Sequence, residues 1–420
     1  MDSAVSAASK TSNPGPAWIR RLLLAAAGLG VAAAVGAGWA FYQRRPPAGM
    51  PPIRWRQEVP DLQSRLGTLT RDGVFIGSTG EIVTAWDRDG KVVWNFTNGP
   101  SLGSVIEGAQ GVFHLGGYRQ GTRRLVCLDS QGRFQWDQRA VVIDGIPPTV
   151  LLGGNIVTSG TDRELHAFSP SGKPLWNVEI QSSSYGPPLQ LSDGALITLG
   201  PTPGPGLVVV GADGRPKGPF CTQRLNQEPS LRLATVARDD TVYLAGNGGE
   251  FLRALSRGGS LRWTLSLDLD ATSKPSVTPT GTLVLTGRNP KTEAFELVAV
   301  SDAGAVLWRR TLGLPYADLP PVIAEDGSIY LTTGEPALWC VERGGEIRWK
   351  YRMPRPIQWA PPARKSVAAW TTFLRQLLRT PRNIPRTPVW ISADGSLRAG
   401  LGGAQGYLLC IERPSGSARP

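Results

Sequence analysis

Short apolar runs separated by turn residues dominate the chain from residue 53 onward. The stretch "PPVIA-EDG-SIYLTT-GEP-ALWCVE-RGG-EIRWKY", residues 320–351, shows the pattern. Each run spans four to six residues and is bounded by Gly, Asp or Pro, which predicts short strands and not helices. The last run of each such group carries a tryptophan four residues after a glycine. "DGKVVWNF", Asp89 to Phe96, is one instance. A hairpin turn that must match the right-handed twist of its strands needs a residue at positive φ, which accounts for the glycine.

The group recurs. Trp94, Trp136, Trp176, Trp263, Trp308 and Trp349 each follow a turn glycine: Gly90, Gly132, Gly172, Gly259, Gly304 and Gly345. A further unit, "GLVVVGADGRPKG", fits between Trp176 and Trp263, with turn Gly214 and with Gly218 where the tryptophan belongs. The steps are 42, 40, 42, 45, 45 and 41 residues, the period of a four-stranded propeller blade. The chain ends on three strands of a blade without a tryptophan strand. "PIRWRQEVP" supplies such a strand near the start, and Trp55 lies 39 residues before Trp94. Residues 53–58 are therefore expected to complete the last blade, giving an all-β, eight-bladed propeller of four-stranded blades over residues 53–420. The tryptophans are expected to pack between neighbouring blades.

Two segments break the β pattern. Residues 22–42, "LLLAAAGLGVAAAVGAGWAFY", are 21 uncharged residues between Arg20-Arg21 and Arg44-Arg45. That length suffices to cross a bilayer as a helix, so the segment reads as a transmembrane signal anchor, with a cleaved signal peptide as the rival. Residues 1–21 form an N-terminal tail and 43–52 a linker. The second break is an insertion of about 30 residues, 354–387, in the last blade. Within it Val367, Trp370, Phe373, Leu374, Leu377 and Leu378 recur at helical spacing, predicting an amphipathic helix.

Charge sharpens the second break. The net charge is +12, and ten Lys or Arg with no Asp or Glu lie between Ile347 and Ala393. Arg364, Lys365, Arg375 and Arg379 belong to this set, and with Trp370, Phe373, Leu374, Leu377 and Leu378 they form a candidate interaction helix. It could pack on the propeller face with its Arg residues solvated, enter a partner's groove or lie on an anionic membrane surface; nucleic acid is not expected, because no nucleic-acid-binding fold is present.

Catalytic chemistry finds little support. The two histidines, His114 and His166, have no second His and no Cys at ligand spacing, and read as structural. Cys127, Cys340 and Cys410 share one repeat position with Ala85, Ala167, Val209, Ala254 and Ala299, a small apolar packing site; Cys221 stands alone. The acidic residues Asp89, Asp129, Asp302 and Asp394 sit in turns, where Asp is favoured for local hydrogen bonding.

The G-K-x-x-W ending, best matched by Gly90, Lys91 and Trp94, resembles the pyrroloquinoline-quinone-type (PQQ-like) β-propeller repeat over about residues 53–420. That resemblance implies one of two classes: quinoprotein dehydrogenases, or non-catalytic envelope propellers of the BamB-like kind and sensor domains. The dehydrogenases usually carry adjacent cysteines above the cofactor and a calcium site of Glu, Asn and Asp. No Cys-Cys pair occurs here. The expectation is a non-catalytic scaffold, single-pass in a bacterial inner membrane, with its propeller facing the periplasm or exterior. No catalytic, cofactor or metal residue is assigned, and its partners are envelope proteins. The alternative is a sugar-, cell-wall- or other small-ligand-binding propeller, or more remotely a quinone-dependent dehydrogenase.

Overall fold

In a computed structural model, residues 46–59, 67–79, 81–97, 101–108, 113–119, 122–139, 147–160, 162–180, 187–199, 207–221, 234–245, 251–312, 319–332, 337–352, 389–401 and 407–413 are described. Contacts divide the chain into two units, 1–45 and 46–420. The first unit, including the segment 22–42, lies outside the described residues, as does the insertion 354–387. Among the described residues no helix is long and apolar enough to cross a membrane.

Among the described residues of the second unit all regular structure is antiparallel sheet. Seven blades are each built from one continuous run of chain. Blade 3 is representative: Thr149–Val150, Ile156–Ser159, Glu164–Phe168 and Pro174–Glu179 pair in sequence order. The remaining sheet is composite. Val389–Ile391, Leu397–Leu401 and Tyr407–Ile411 come from the end of the chain, and Ile53–Glu58 adds the fourth strand. Trp55 faces Cys410 in this pairing. Most neighbouring innermost strands touch around the axis, and Thr68–Leu69 of blade 1 meets Val389–Ile391 of the closing sheet.

The expectation of eight like four-stranded blades with two added helices is corrected. There are seven blades of consecutive strands and one composite closing sheet. Blade 6 has five strands, because Asp270–Ala271 and Ser276–Val277 both pair with Leu283–Arg288. No helix occurs among the described residues. The fifth strand arises where the linker from blade 5 runs along the second strand before turning to the axis. Repeat spacing is blind to such a pairing.

Burial follows strand position. Second and third strands are buried on both faces, as in Ile156–Ser159 and Phe295–Val300, because blades pack on either side. Outermost strands alternate, as in Leu261–Ser266, with one face to solvent. The core is thus a set of apolar layers between blades: Leu165, Ala167, Leu196 and Val210 fill the layer between blades 3 and 4.

Candidate functional site at the channel mouth and the blade junctions

The third-to-fourth-strand turns come first, since they position the tryptophans. Asp87 N donates to Lys91 O and Gly90 N to Asp87 O, while the Asp87 carboxylate accepts from the amides of Asp89 and Lys91. This is a type I turn closed by a left-handed glycine, with φ of +79° at Gly90. It is a three-residue loop, and just beyond it Val93 is an extra residue in the ladder, since Trp86 pairs with Val92 and Ala85 with Trp94. Gly132, Gly172, Gly214, Gly259, Gly304 and Gly345 all take the same conformation.

Six of the tryptophans then reach the turn of the next blade. Trp55 Nε1 donates to Arg88 O at 2.6 Å, Trp94 to Ser130 O at 3.2 Å and Trp136 to Pro170 O at 2.9 Å. Trp176 donates to Ala212 O at 3.1 Å, Trp263 to Asp302 O at 2.7 Å and Trp308 to Arg343 O at 2.9 Å. The ring lies on that turn's glycine: a Cβ added at Gly90 would meet Trp55 Cδ2 at 2.8 Å, and one at Gly304 would meet Trp263 Cδ2 at 2.7 Å. The glycine serves two ends at once, positive φ and room for an indole. Trp349 is buried instead in the layer between blade 7 and the closing sheet, with Tyr330, Leu338 and Leu409.

Strand register places the shared small-residue position opposite the tryptophan column. Ala85, Cys127, Ala167, Ala254, Ala299, Cys340 and Cys410 each face a tryptophan, and Val209 faces Gly218. All four cysteines are buried free thiols. Burial pushes the Cys127 thiol up to about 12 and Cys340 to about 11, so neither is a thiolate at neutral pH. His114 is buried beside the Trp136 ring, and desolvation lowers its pKa to about 4. It is a neutral core residue.

His166 differs from the structural reading. Asp162, Glu164 and His166 alternate along the start of a strand, so their side chains share one face. His166 Nε2 lies 2.8 Å from Asp162 Oδ2 and 3.9 Å from Glu164 Oε2, and Asn177 donates to Glu164. The D-x-E-x-H spacing of two was the signal; a search limited to further His and Cys passes over it. The group is partly exposed and internally paired, which suits a surface ion-pair network.

Among the described residues a cavity is lined by the innermost strands of blades 2 to 6 and the residues leading into them, and so faces the axis. Its volume is about 310 Å³. Pro147-Pro148, Pro187-Pro188, Thr149, Gln190, Thr235 and Lys274 are among its walls, with Ile106, Val150, Leu189, Ala234 and Val236. Lys274 is the only charged member. Sequence reading did not single it out, because the residues beside it come from five blades. A calcium-and-quinone site of the dehydrogenase kind needs carboxylate oxygens on the metal. This lining contains none, so the residues do not fit that group. The basic helix residues Arg364 to Arg379 lie outside the described residues.

The sheet repeat, the tryptophan docks and the ring closed by both chain ends define a β-propeller of PQQ-like repeats. A family profile described as "Outer membrane protein assembly factor BamB" matches residues 121–289. Among solved structures, BamB from Moraxella catarrhalis is 15% identical, with a TM-score of 0.59, covering 86% of this chain and 99% of that one. The C-terminal WD40 domain of Sif2 is 11% identical with a TM-score of 0.60, covering 86% and 98%. A europium-containing methanol dehydrogenase is 10% identical with a TM-score of 0.54, covering 86% and 93%. The chain is thus BamB-like in its repeat and fold, while its structural neighbours include both an assembly factor and an enzyme. No curated protein matched the sequence.

Proposed function

We propose that this protein is a non-catalytic interaction scaffold of the bacterial envelope. In this reading residues 22–42 hold it to the inner membrane with the propeller facing the periplasm or exterior. The basic segment around Arg364, Lys365, Arg375 and Arg379 docks an envelope protein. The observation that carries the reading is the lining of the axial cavity. It is proline and aliphatic wall with one lysine, and has no acid–base pair and no carboxylate to hold a metal. The BamB likeness supports it at the level of fold. The rigid junctions suit a scaffold, since each indole ties its blade to the next turn.

Crosslinked pull-down from native membranes tests this, comparing the full chain with one lacking residues 354–387. The expected result is a protein partner captured by the full chain and lost from the deletion. Incubation of the purified protein with calcium and pyrroloquinoline quinone is the counter-test. A stoichiometric bound-quinone absorbance with alcohol oxidation would overturn the scaffold reading.

A further inference from the structure

The axial cavity is furnished with donors and lacks acceptor charge. We propose that it binds a small oxyanion, a carboxylate or a phosphate, held between the Lys274 ammonium and the Gln190 side-chain amide. Three observations carry this, and none depends on the scaffold reading.

The first is placement. Ser276, Thr149, Leu189 and Val322 hold equivalent ladder positions in blades 6, 3, 4 and 7, pairing with Val284, Val157, Ile197 and Tyr330. Two residues before them stand Lys274, Pro147, Pro187 and Pro320. One blade therefore sets a cation where three others set a proline. The second is that the Lys274 ammonium has no ion pair and no hydrogen bond to any described residue. Its side chain is exposed to solvent at the cavity, and the neighbouring walls lower its pKa from the ordinary lysine value by desolvation. A concave site lined by one positive charge and no carboxylate draws in small anions. The third is Gln190. Its Nε2 is buried and has no hydrogen-bond partner, although the residue lines the same cavity. A buried orphan donor in a native fold calls for a partner.

Both groups donate, and no carboxylate competes for them. Thr149 and Thr235 add hydroxyls that can donate as well. The proline walls are stiff and carry no N–H, so the polar contacts concentrate on these few side chains. A cavity of about 310 Å³ admits a small ligand and leaves a long polymer only its end.

The test is calorimetric titration of the full-length protein with inorganic phosphate and, separately, with succinate. The variants are Lys274→Gln, Lys274→Arg and Gln190→Leu, each checked for an unchanged urea midpoint. One saturable site is expected, weakened at least about tenfold in Lys274→Gln, as loss of a charge-assisted hydrogen bond implies. Lys274→Arg should retain most of the binding, and Gln190→Leu should lose several-fold. Competition between the two anions then tells which chemistry the cavity prefers. Binding that is unchanged in Lys274→Gln, or no saturable binding by wild type with either anion, overturns the proposal. Partner capture by Lys274→Gln at the wild-type level, alongside lost anion binding, would separate this site from the docking function.

Discussion

A tryptophan and the turn glycine of the next blade make the smallest stabilising unit of this protein. The indole needs a flat seat and a carbonyl acceptor. The turn glycine supplies the seat, and the residue two before it supplies the carbonyl. Gly304→Ala places a Cβ against the Trp263 ring at a residue whose φ is +84°. It should cost roughly 2–4 kcal/mol by urea unfolding, from strain and overpacking together. Gly153→Ala is the control: nothing lies within 4 Å of the added carbon, and the change should stay within about 0.5 kcal/mol. His114 gives a second test at this scale. Its folded pKa of about 4 lies below the ordinary 6.5, so the unfolded chain binds a proton first as pH falls. Stability should therefore drop between about pH 6.5 and 4, by up to about 3 kcal/mol from this residue alone. In His114→Leu that portion of the acid arm should flatten, read from urea midpoints across the pH series.

Between elements, the junction of blades 4 and 5 shows what replaces a missing dock. Gly218 stands in the tryptophan column, and the Phe220 carbonyl crowds the turn at Gly259 where an indole would otherwise lie. Phe220 and Cys221 fill the apolar layer. A polar tie does the rest. Ser192 of blade 4 donates through its amide and its hydroxyl to the Asp240 carboxylate of blade 5, and Arg257 pairs with Asp240 and Asp193. Asp240 holds a turn position at which other blades use glycine, with φ of +61°. Aspartate tolerates that region better than most residues, and its buried hydrogen bonds hold it there. Asp240→Ala should cost about 2–4 kcal/mol, because it orphans the Ser192 donors and leaves strain behind. Asp193→Ala, a largely exposed partner, should cost under about 1 kcal/mol. Both are measured by chemical denaturation. The gap at Gly218 was readable along the chain. Its replacement was not, since Ser192 and Asp240 are 48 residues apart and neither follows the repeat.

At the scale of the whole molecule, closure decides whether the ring is one cooperative body. Ile53–Glu58 covers the edge of Tyr407–Ile411, and Trp55 docks on the Arg88–Gly90 turn of blade 1. Arg398, fully buried, sends its guanidinium to Ser396 Oγ and Arg88 O beneath the same indole. Replacing residues 53–58 with a Gly-Ser run should uncover that edge, broaden thermal unfolding and promote aggregation. Calorimetry and light scattering read both effects. Arg54→Ala, which removes only the exposed Arg54–Asp89 pair, should leave the melting curve nearly unchanged.

The repeat was legible along the chain: strand runs, turn glycines, the tryptophan column and a shared small-residue position. These are local requirements of twist, positive φ and packing volume, so they recur at a fixed spacing and can be read along one chain. Features built from residues distant in the chain emerged only on folding. The fifth strand of blade 6 is a pairing of linker with strand, and no periodicity marks it. The Asp162, Glu164 and His166 face was within reach, because strand alternation of two encodes it. The cavity was not. Its lysine, its orphan amide and its proline walls come from separate blades, and only closure of the ring around an axis makes them neighbours.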